Sequence, residues 1–298
     1  MTQIQVEYFM KTYETRNIAV AADALFISRS AISRAIADLE REYQTELFIR
    51  SKTGVTPTPA GSMVYEMFRN VTGCFSRINT QIQELKTGTL NRRIRVGITP
   101  SNGLRLYEQF FRSFLKKYPD TELVLVEDAR DRCSDMLSQG EIDIAVMPAG
   151  EASAKVNEDF FSSIPLYRNR IVFWTSIDSP LADREDLDIF DILDCPLGYL
   201  MAPMPLEDIL ENCFSAYGKK PHVTIRTSSA ELLREMVIDG RACAIVPDDM
   251  FEPSDRMRAI RLHFFKESTQ YVVWNHTIPC SDAVKRFLDH VEAIAKSQ

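Results

Sequence analysis

The stretch "LFISRSAISRAIADLE", Leu25 to Glu40, places Ile32, Ala35, Ile36 and Leu39 on one stripe of a helix. Ser28 is the residue type that caps a helix N-terminus by accepting a backbone N–H. Ser30, Ser33 and Arg34 fall on the opposite face, and Arg29 stands in the first turn. The helix therefore buries one side and shows small polar groups and arginines on the other. A solvated surface helix shares that pattern, so the neighbouring sequence has to discriminate.

Upstream, Val6, Phe9, Met10 and Tyr13 recur at helical spacing. Asn17, another capping type, precedes "IAVAADAL". "FIS" then makes a tight corner into the quoted helix. Downstream, "ELFIRSKTGVTPTP" holds two β-prone pieces, Leu47–Arg50 and Val55–Thr58, around Ser51–Gly54, which reads as a hairpin. Three short helices followed by a hairpin suggest a winged helix-turn-helix. In that motif the second helix of the pair enters the major groove. Small residues at Ser30, Ser33 and Ala37 permit close approach to base edges. Arg29 can reach a guanine bidentately, and Arg34 can contact bases or phosphates. Arg50 and Lys52 on the hairpin reach phosphates or the minor groove.

From Ala60 to Lys86 the pattern changes. Val64, Phe68, Val71, Phe75, Ile78, Ile82 and Leu85 alternate spacings of four and three. Such a repeat marks helix-on-helix packing between two chains, and a long amphipathic helix lying on its own domain shares the signal. "TGTLN" (87–91) reads as a hinge. Beyond it, "RIRVGI", "ELVLVE", "DIAVMP", "RIVFWTS", "PLGYLM", "HVTIRT", "CAIVP" and "QYVVW" are strand-like runs. Helical stretches at Tyr107–Tyr118, Leu206–Tyr217, Ala230–Asp239 and Asp282–Ala295 separate several of them. Alternating strands and helices predict α/β architecture, and the length allows two similar lobes. The acidic run "DREDLDIFD" (183–191) reads as a solvated helix start.

The 298 residues carry a net charge of −7, which by itself opposes nucleic-acid binding. The charge is uneven. Residues 1–86 hold ten basic and nine acidic side chains, the rest 25 and 33. Affinity for DNA depends on local phosphate contacts, so the N-terminal part remains compatible with it. The six cysteines are scattered without a CxxC pair, which fits reduced cytoplasmic thiols better than a disulfide framework or zinc site. No signal peptide and no apolar run of spanning length is visible, so a cytoplasmic location without membrane attachment is expected.

Catalytic signatures are missing from the sequence: no GxGxxG, Walker loop, GxSxG or HExxH. The four histidines are dispersed without metal spacing, and His276 four residues before Cys280 is most simply incidental. No enzyme activity, cofactor or metal is therefore expected. Two strand-to-helix junctions do suggest binding. "VGITPSNGLRLYEQF" carries Thr99, Ser101 and Asn102, and "TIRTSSAELLREM" carries Thr227, Ser228 and Ser229. Free N–H groups and hydroxyls at such junctions suit an anion or carboxylate, although simple helix capping uses the same residues.

"NIAVAADALFISRSAISRAIADLEREYQTELFIRSKTGVTPTPAG" resembles the N-terminal signature of LysR-type transcriptional regulators. The correspondences are the "AA..L" helix, the "S..S.S..I..LE" recognition helix, "LF.R" entering the wing and "T..G" opening the linker helix. "RVGIT", "GEIDIAV", "PLYRNRIVFWTSIDSPLA" and "DGRACAIVP" resemble the effector-domain landmarks of that family in the same order. The resemblance implies an α+β multidomain chain. Its parts would be a winged helix-turn-helix (1–59), a dimerising linker helix (60–86), and a two-lobed α/β effector domain like the periplasmic binding proteins. Lobe I would comprise 92–163 and 268–298, and lobe II 164–267. The linker seam would be Val64, Phe68, Val71, Phe75, Ile78 and Ile82. By resemblance, Thr99, Ser101, Met147, Met201, Thr227 and Ser228 become effector-pocket residues, with a small carboxylate as the favoured co-inducer. The methionines serve equally well as core filler.

The implied partners are a double-stranded DNA operator, a small-molecule effector and further copies in a homodimer or homotetramer, with RNA polymerase a candidate. Four positions depart from the usual pattern: Arg29 where glutamine is common, Gln44 near a usual glycine, Pro59 for an acidic residue, and Arg241 for a small one. Arg29 removes any operator inferred by analogy, because arginine and glutamine prefer different bases. The alternative is a solute-binding protein with a structural N-terminal region, opposed by the lack of a signal peptide. An enzyme on the α/β domain would need catalytic residues that the sequence does not assemble.

Overall fold

The computed structural model describes residues 1–51, 53–99, 102–149, 160–201, 206–252 and 254–296. It divides into two compact units, Met1–Ile82 with Ser138–Glu141, and Gln83–Leu137 with Ile142–Gln298.

In the first unit, α1 (Gln3–Thr15) starts from a capping box in which Thr2 and Gln5 satisfy each other's backbone N–H. Asn17 caps α2 (Ile18–Ala24) by accepting from Ala19 and Val20, at 2.8 and 3.3 Å. Ser28 caps α3 (Arg29–Tyr43), accepting from Ala31 at 3.2 Å. The buried residues of α3 are Ile32, Ala35, Ile36 and Leu39, the stripe read from the sequence. Strands β1 (Phe48–Ser51) and β2 (Gly54–Pro57) form the antiparallel wing. The long helix α4 (Pro59–Thr87) follows. Gly61 lets it approach the wing, because a Cβ there would run into the Leu47 carbonyl oxygen.

Two residues of the expected dimer seam are placed elsewhere. Val64 and Phe68 pack into the core of the winged domain beside Phe9, Leu39, Phe48 and Val55. The Phe68 ring meets Phe9 edge-on at 5.4 Å and is fully buried. The first turns of α4 thus complete their own domain. The outward apolar residues farther along are Val71, Phe75, Ile78, Ile82 and Leu85.

In the second unit β3 (Arg93–Ile98) leads to α5 (Asn102–Leu106), a π-helical turn (Tyr107–Phe111) and α6 (Arg112–Lys117). Next come β4 (Glu122–Glu127), α7 (Arg130–Ser138), β5 (Ile144–Ala149), β6 (Phe161–Asn169) and β7 (Ile171–Ser176). The short β8 (Asp186–Leu187) and α8 (Ile189–Ile192) precede β9 (Pro196–Leu200) and α9 (Leu206–Ser215). The chain closes with β10 (His222–Thr227), α10 (Ala230–Ile238), β11 (Cys243–Pro247), β12 (Met257–Leu262), β13 (Ser268–Asn275) and α11 (Asp282–Ala295).

Two sheets result, ordered β4-β3-β5-β13-β6 and β10-β9-β11-β7-β12-β8. Each contains a parallel β-α-β-α-β run whose first strand sits between the other two, extended by antiparallel strands. The two lobes therefore repeat one topology that the sequence does not show as a repeat. The chain passes between sheets from β6 to β7 and from β12 to β13. The first passage falls at 169–171, later than the expected 163/164 boundary. Residues 164–169 belong to lobe I because β6 pairs with β13 throughout. Pro165 obscured this strand in the sequence, and it is tolerated because β6 is an edge strand. The acidic 183–191 run also differs from expectation: it contains β8, and Asp188 caps only the four-residue α8.

Candidate DNA interface and effector cleft

On α3 the residues Arg29, Ser30, Ser33 and Arg34 span a face roughly 140° wide at 100° per residue. Arg29, Ser30 and Arg34 are exposed and Ser33 is half-buried. Ser30 Oγ lies 3.0 Å from the capping Ser28 Oγ, so this hydroxyl is tied to the helix start. Arg29 and Arg34 form no ion pair with another described residue, which leaves both guanidinium groups free for a partner. Arg50 is exposed on β1 of the wing, and Lys52 lies outside the described residues. One contributor escaped the sequence reading. Glu40 Oε1 accepts from the Leu47 and Phe48 N–H groups at 2.9 and 3.2 Å, bracing the wing against α3.

In the second unit, the first strand of each parallel run has neighbours reached in opposite directions, between β3 and β5 and between β9 and β11. Ligands of open α/β sheets bind outside the carboxyl ends at such points. Thr99 follows β3, is buried, and donates its N–H to the Val146 carbonyl at 3.2 Å. Met201 follows β9 and donates its N–H to the Thr227 carbonyl at 2.7 Å; its side chain is exposed. Thr227 is half-buried with Ser228 exposed beside it. Thr227 Oγ1 accepts from the Ser229 N–H at 3.0 Å, and Ser229 caps α10, so capping occupies part of this junction.

Ser101 lies outside the described residues, as does the side chain of Asn102. Met147 is corrected. Its side chain is 3% exposed and packs with Cys133, Met136, Leu137 and Ile142, so it fills the core under α7 rather than lining a pocket. Thr99 thus sits at the carboxyl edge of one sheet, and Met201, Thr227 and Ser228 at that of the other.

Charged residues missed in the sequence connect the two lobes. Arg105 of α5 lies 3.9 Å from the Asp249 carboxylate, in the segment after β11. Its guanidinium also stacks 3.9 Å above the Tyr167 ring on β6. Burial, reinforced by the Asp249 charge, pushes the Tyr167 hydroxyl well above the usual tyrosine range. Next to this group, Arg170 at the inter-sheet passage meets Asp248 at 3.8 Å and Glu267 at 3.3 Å. A hollow of about 450 Å³ lies against α10, lined by Glu231, Arg234, Glu235 and Glu252 with Met250 and Phe251. His276 is accounted for structurally: its Nδ1 lies 3.0 Å from Ser162 Oγ.

Residues 4–62 match the family model of the bacterial regulatory helix-turn-helix protein, lysR family, and residues 87–295 match the LysR substrate binding domain. The chain belongs to the LysR family of transcriptional regulators. It pairs a DNA-binding winged helix-turn-helix with a C-terminal effector-binding domain.

Among relatives of this LysR-type chain, the HTH-type transcriptional regulator YwbI of Bacillus subtilis is 24% identical, covering 96% of this chain and 94% of its own. The hydrogen peroxide-inducible genes activator of Dickeya chrysanthemi is 28% identical over 85% of this chain and 81% of its own. Full-length CbnR, solved with its target DNA, superimposes with a TM-score of 0.53 at 18% identity, covering 99% of this chain and all of that one. A full-length OxyR variant of Pseudomonas aeruginosa gives 0.54 at 20% identity, over 99% and 97% of the two chains. These likenesses establish the multidomain α+β fold. No helix among the described residues is long and apolar enough to cross a membrane.

One departure from the LysR-type pattern gains a physical meaning. Gln44 ends α3 in the left-handed region, φ 51°, a conformation that favours glycine.

Proposed function

We propose that this regulator binds an operator as a dimer. In each half-site α3 enters the major groove, Arg29 reads base edges, Ser30 and Ser33 allow close approach, and Arg34 and the wing residues Arg50 and Lys52 hold phosphates. The observation that carries the reading is the two-faced α3: a continuous buried stripe backs a surface whose two arginines form no ion pair among the described residues. The exposed row Val71, Phe75, Ile78, Ile82 and Leu85 supports pairing of two linker helices. Higher association to a tetramer would use other surfaces, and RNA polymerase would be met by the DNA-bound assembly.

The effector would occupy the space beyond the carboxyl edges of the two sheets, touching Thr99, Met201, Thr227 and Ser228. A small carboxylate fits this chemistry because Arg105 supplies a cation there, currently matched by Asp249. The glutamate-lined hollow beside α10 repels an anion and is not the preferred seat. Binding would alter regulation only if the two arrangements of the DNA-binding units differ in effector affinity. Selection of bound sequences from a random duplex pool tests the DNA reading, and recovery of no consensus would reject it. Thermal shift with a panel of small carboxylates tests the effector class, and the absence of any shift would reject that class.

A further inference from the structure

Arg16, Phe26 and Gln44 are the non-glycine residues with left-handed backbone among those described, and Arg16 alone of them carries a charge. It ends α1 at φ 53°, its N–H donating to the Thr12 carbonyl at 3.0 Å. A side chain is disfavoured in that conformation, and such outliers gather where a residue has a further task.

Arg16 is exposed and forms no ion pair among the described residues. Glu14, the carboxylate closest to it in sequence, is engaged by Lys11 at 3.3 Å. The Arg16 guanidinium instead lies 4.2 Å from the centroid of the Tyr13 ring. Tyr13 in turn stacks on Tyr65 of α4, with centroids 3.9 Å apart and planes 10° from parallel. Its hydroxyl lies 3.3 Å from Ser62 Oγ, also on α4. The cation is thus held over a ring that the linker helix fixes. Stacking uses the face of the guanidinium plane and leaves its N–H edges open to an acceptor.

The backbone of Arg16 places this cation at the wing. Its carbonyl accepts from the Val55 N–H of β2 at 2.8 Å. Gly54 leaves that carbonyl room, because a Cβ there would run into its oxygen. Val55 is the cross-strand partner of Arg50 on β1. Alternation along β1 puts Arg50 on the face of Phe48, whose ring packs 5.1 Å from Phe9 of α1. Arg50 therefore stands on the α1 side of the wing, two strand spacings or about 10 Å from Arg16 along the backbone. It too is exposed and without an ion pair among the described residues. Two such neighbouring cations favour an anion between them.

We infer that Arg16 and Arg50 form a clamp for a DNA phosphate at the base of the wing, which makes Arg16 a DNA contact additional to those of α3. The inference rests on the reading that the wing lies against the operator backbone. Arginine edges match phosphate oxygens with two parallel hydrogen bonds. Contacts of this kind fix position and carry no sequence information, so Arg16 strengthens binding to all duplexes alike.

Fluorescence anisotropy of the full-length protein across a potassium chloride series tests the contact, on the operator recovered by selection and on an unrelated duplex. Glycine suits the left-handed cap, so the urea midpoint of Arg16→Gly should equal or exceed that of the parent. Its binding should nevertheless weaken on both duplexes, by about fivefold at about 0.15 M salt, with the salt slope lowered by about 0.9. Arg16→Lys, which keeps the charge, should retain the parent's slope. An unchanged slope in Arg16→Gly overturns the proposal. Arg50→Ala separates that failure from failure of the wing reading. A lowered slope in Arg50→Ala beside an unchanged one in Arg16→Gly keeps the wing on phosphate and removes Arg16 alone. Unchanged slopes in both remove the two together.

Discussion

The Arg105 guanidinium and the Asp249 carboxylate face each other at 3.9 Å, one carried by α5 of lobe I and the other by the segment following β11 of lobe II. Asp249 is 8% exposed and Arg105 28%, so water compensates only part of a lost partner. Asp249→Asn should therefore destabilise the effector domain by about 1–2 kcal/mol, below the value for a fully buried pair. The same variant frees Arg105, so small carboxylates should raise its melting temperature more than that of the parent. Equal urea midpoints for the two proteins would show that this pair contributes nothing to stability.

The linker helix separates two roles along its length. Phe75 is 64% exposed, whereas Phe68 lies in the winged-domain core. Phe75→Glu should give folded monomers in sizing experiments. Phe68→Ala should unfold the winged domain first, at a cost of about 3–5 kcal/mol for a buried phenylalanine. A persistent dimer in Phe75→Glu would reject the exposed row as the seam.

The winged domain holds left-handed backbone at Phe26 and Gln44, with φ 56° and 51°. Phe26 is also 95% exposed at the corner between α2 and α3. Phe26→Asn and Gln44→Gly should each stabilise the domain by about 1 kcal/mol, because L side chains are penalised in this region. Chemical denaturation reads both. No gain at either position would mean that side-chain contacts already compensate the backbone.

On DNA, Arg29→Gln should move the preferred bases of the half-site, while Arg50→Ala should weaken all sequences alike. Removing one phosphate contact lowers the salt slope of binding by about one unit. Fluorescence anisotropy across a salt series separates the two behaviours. An unchanged consensus for Arg29→Gln would remove Arg29 from base readout.

Burial lowers the affinity of His290 for its proton, and its Nε2 lies 2.9 Å from Ser113 Oγ. The folded state then binds fewer protons than the unfolded chain as pH falls through the ordinary histidine range near 6.5. Its contribution should be complete above that range and decline below it. Urea midpoints between pH 7.5 and 5.5, as approximate bounds around that range, should fall less steeply in His290→Phe. Parallel slopes would exclude His290 from the acid sensitivity.

Local chemistry made much of this protein legible from its sequence. The α3 stripe, the Asn17 and Ser28 caps, the wing and most strands follow from periodicity and capping, which act within a few residues. Three decisions did not. Val64 and Phe68 obey the same repeat as Phe75, yet one stretch of helix lies on its own domain and the next does not. Met147 alternates correctly for a strand, but which face α7 covers is a matter of packing. Arg105 meets Asp249 from 144 positions away. Periodicity determines which side of an element is apolar. What that side touches is settled by the folded chain, because partners are selected by shape and charge between segments remote in sequence.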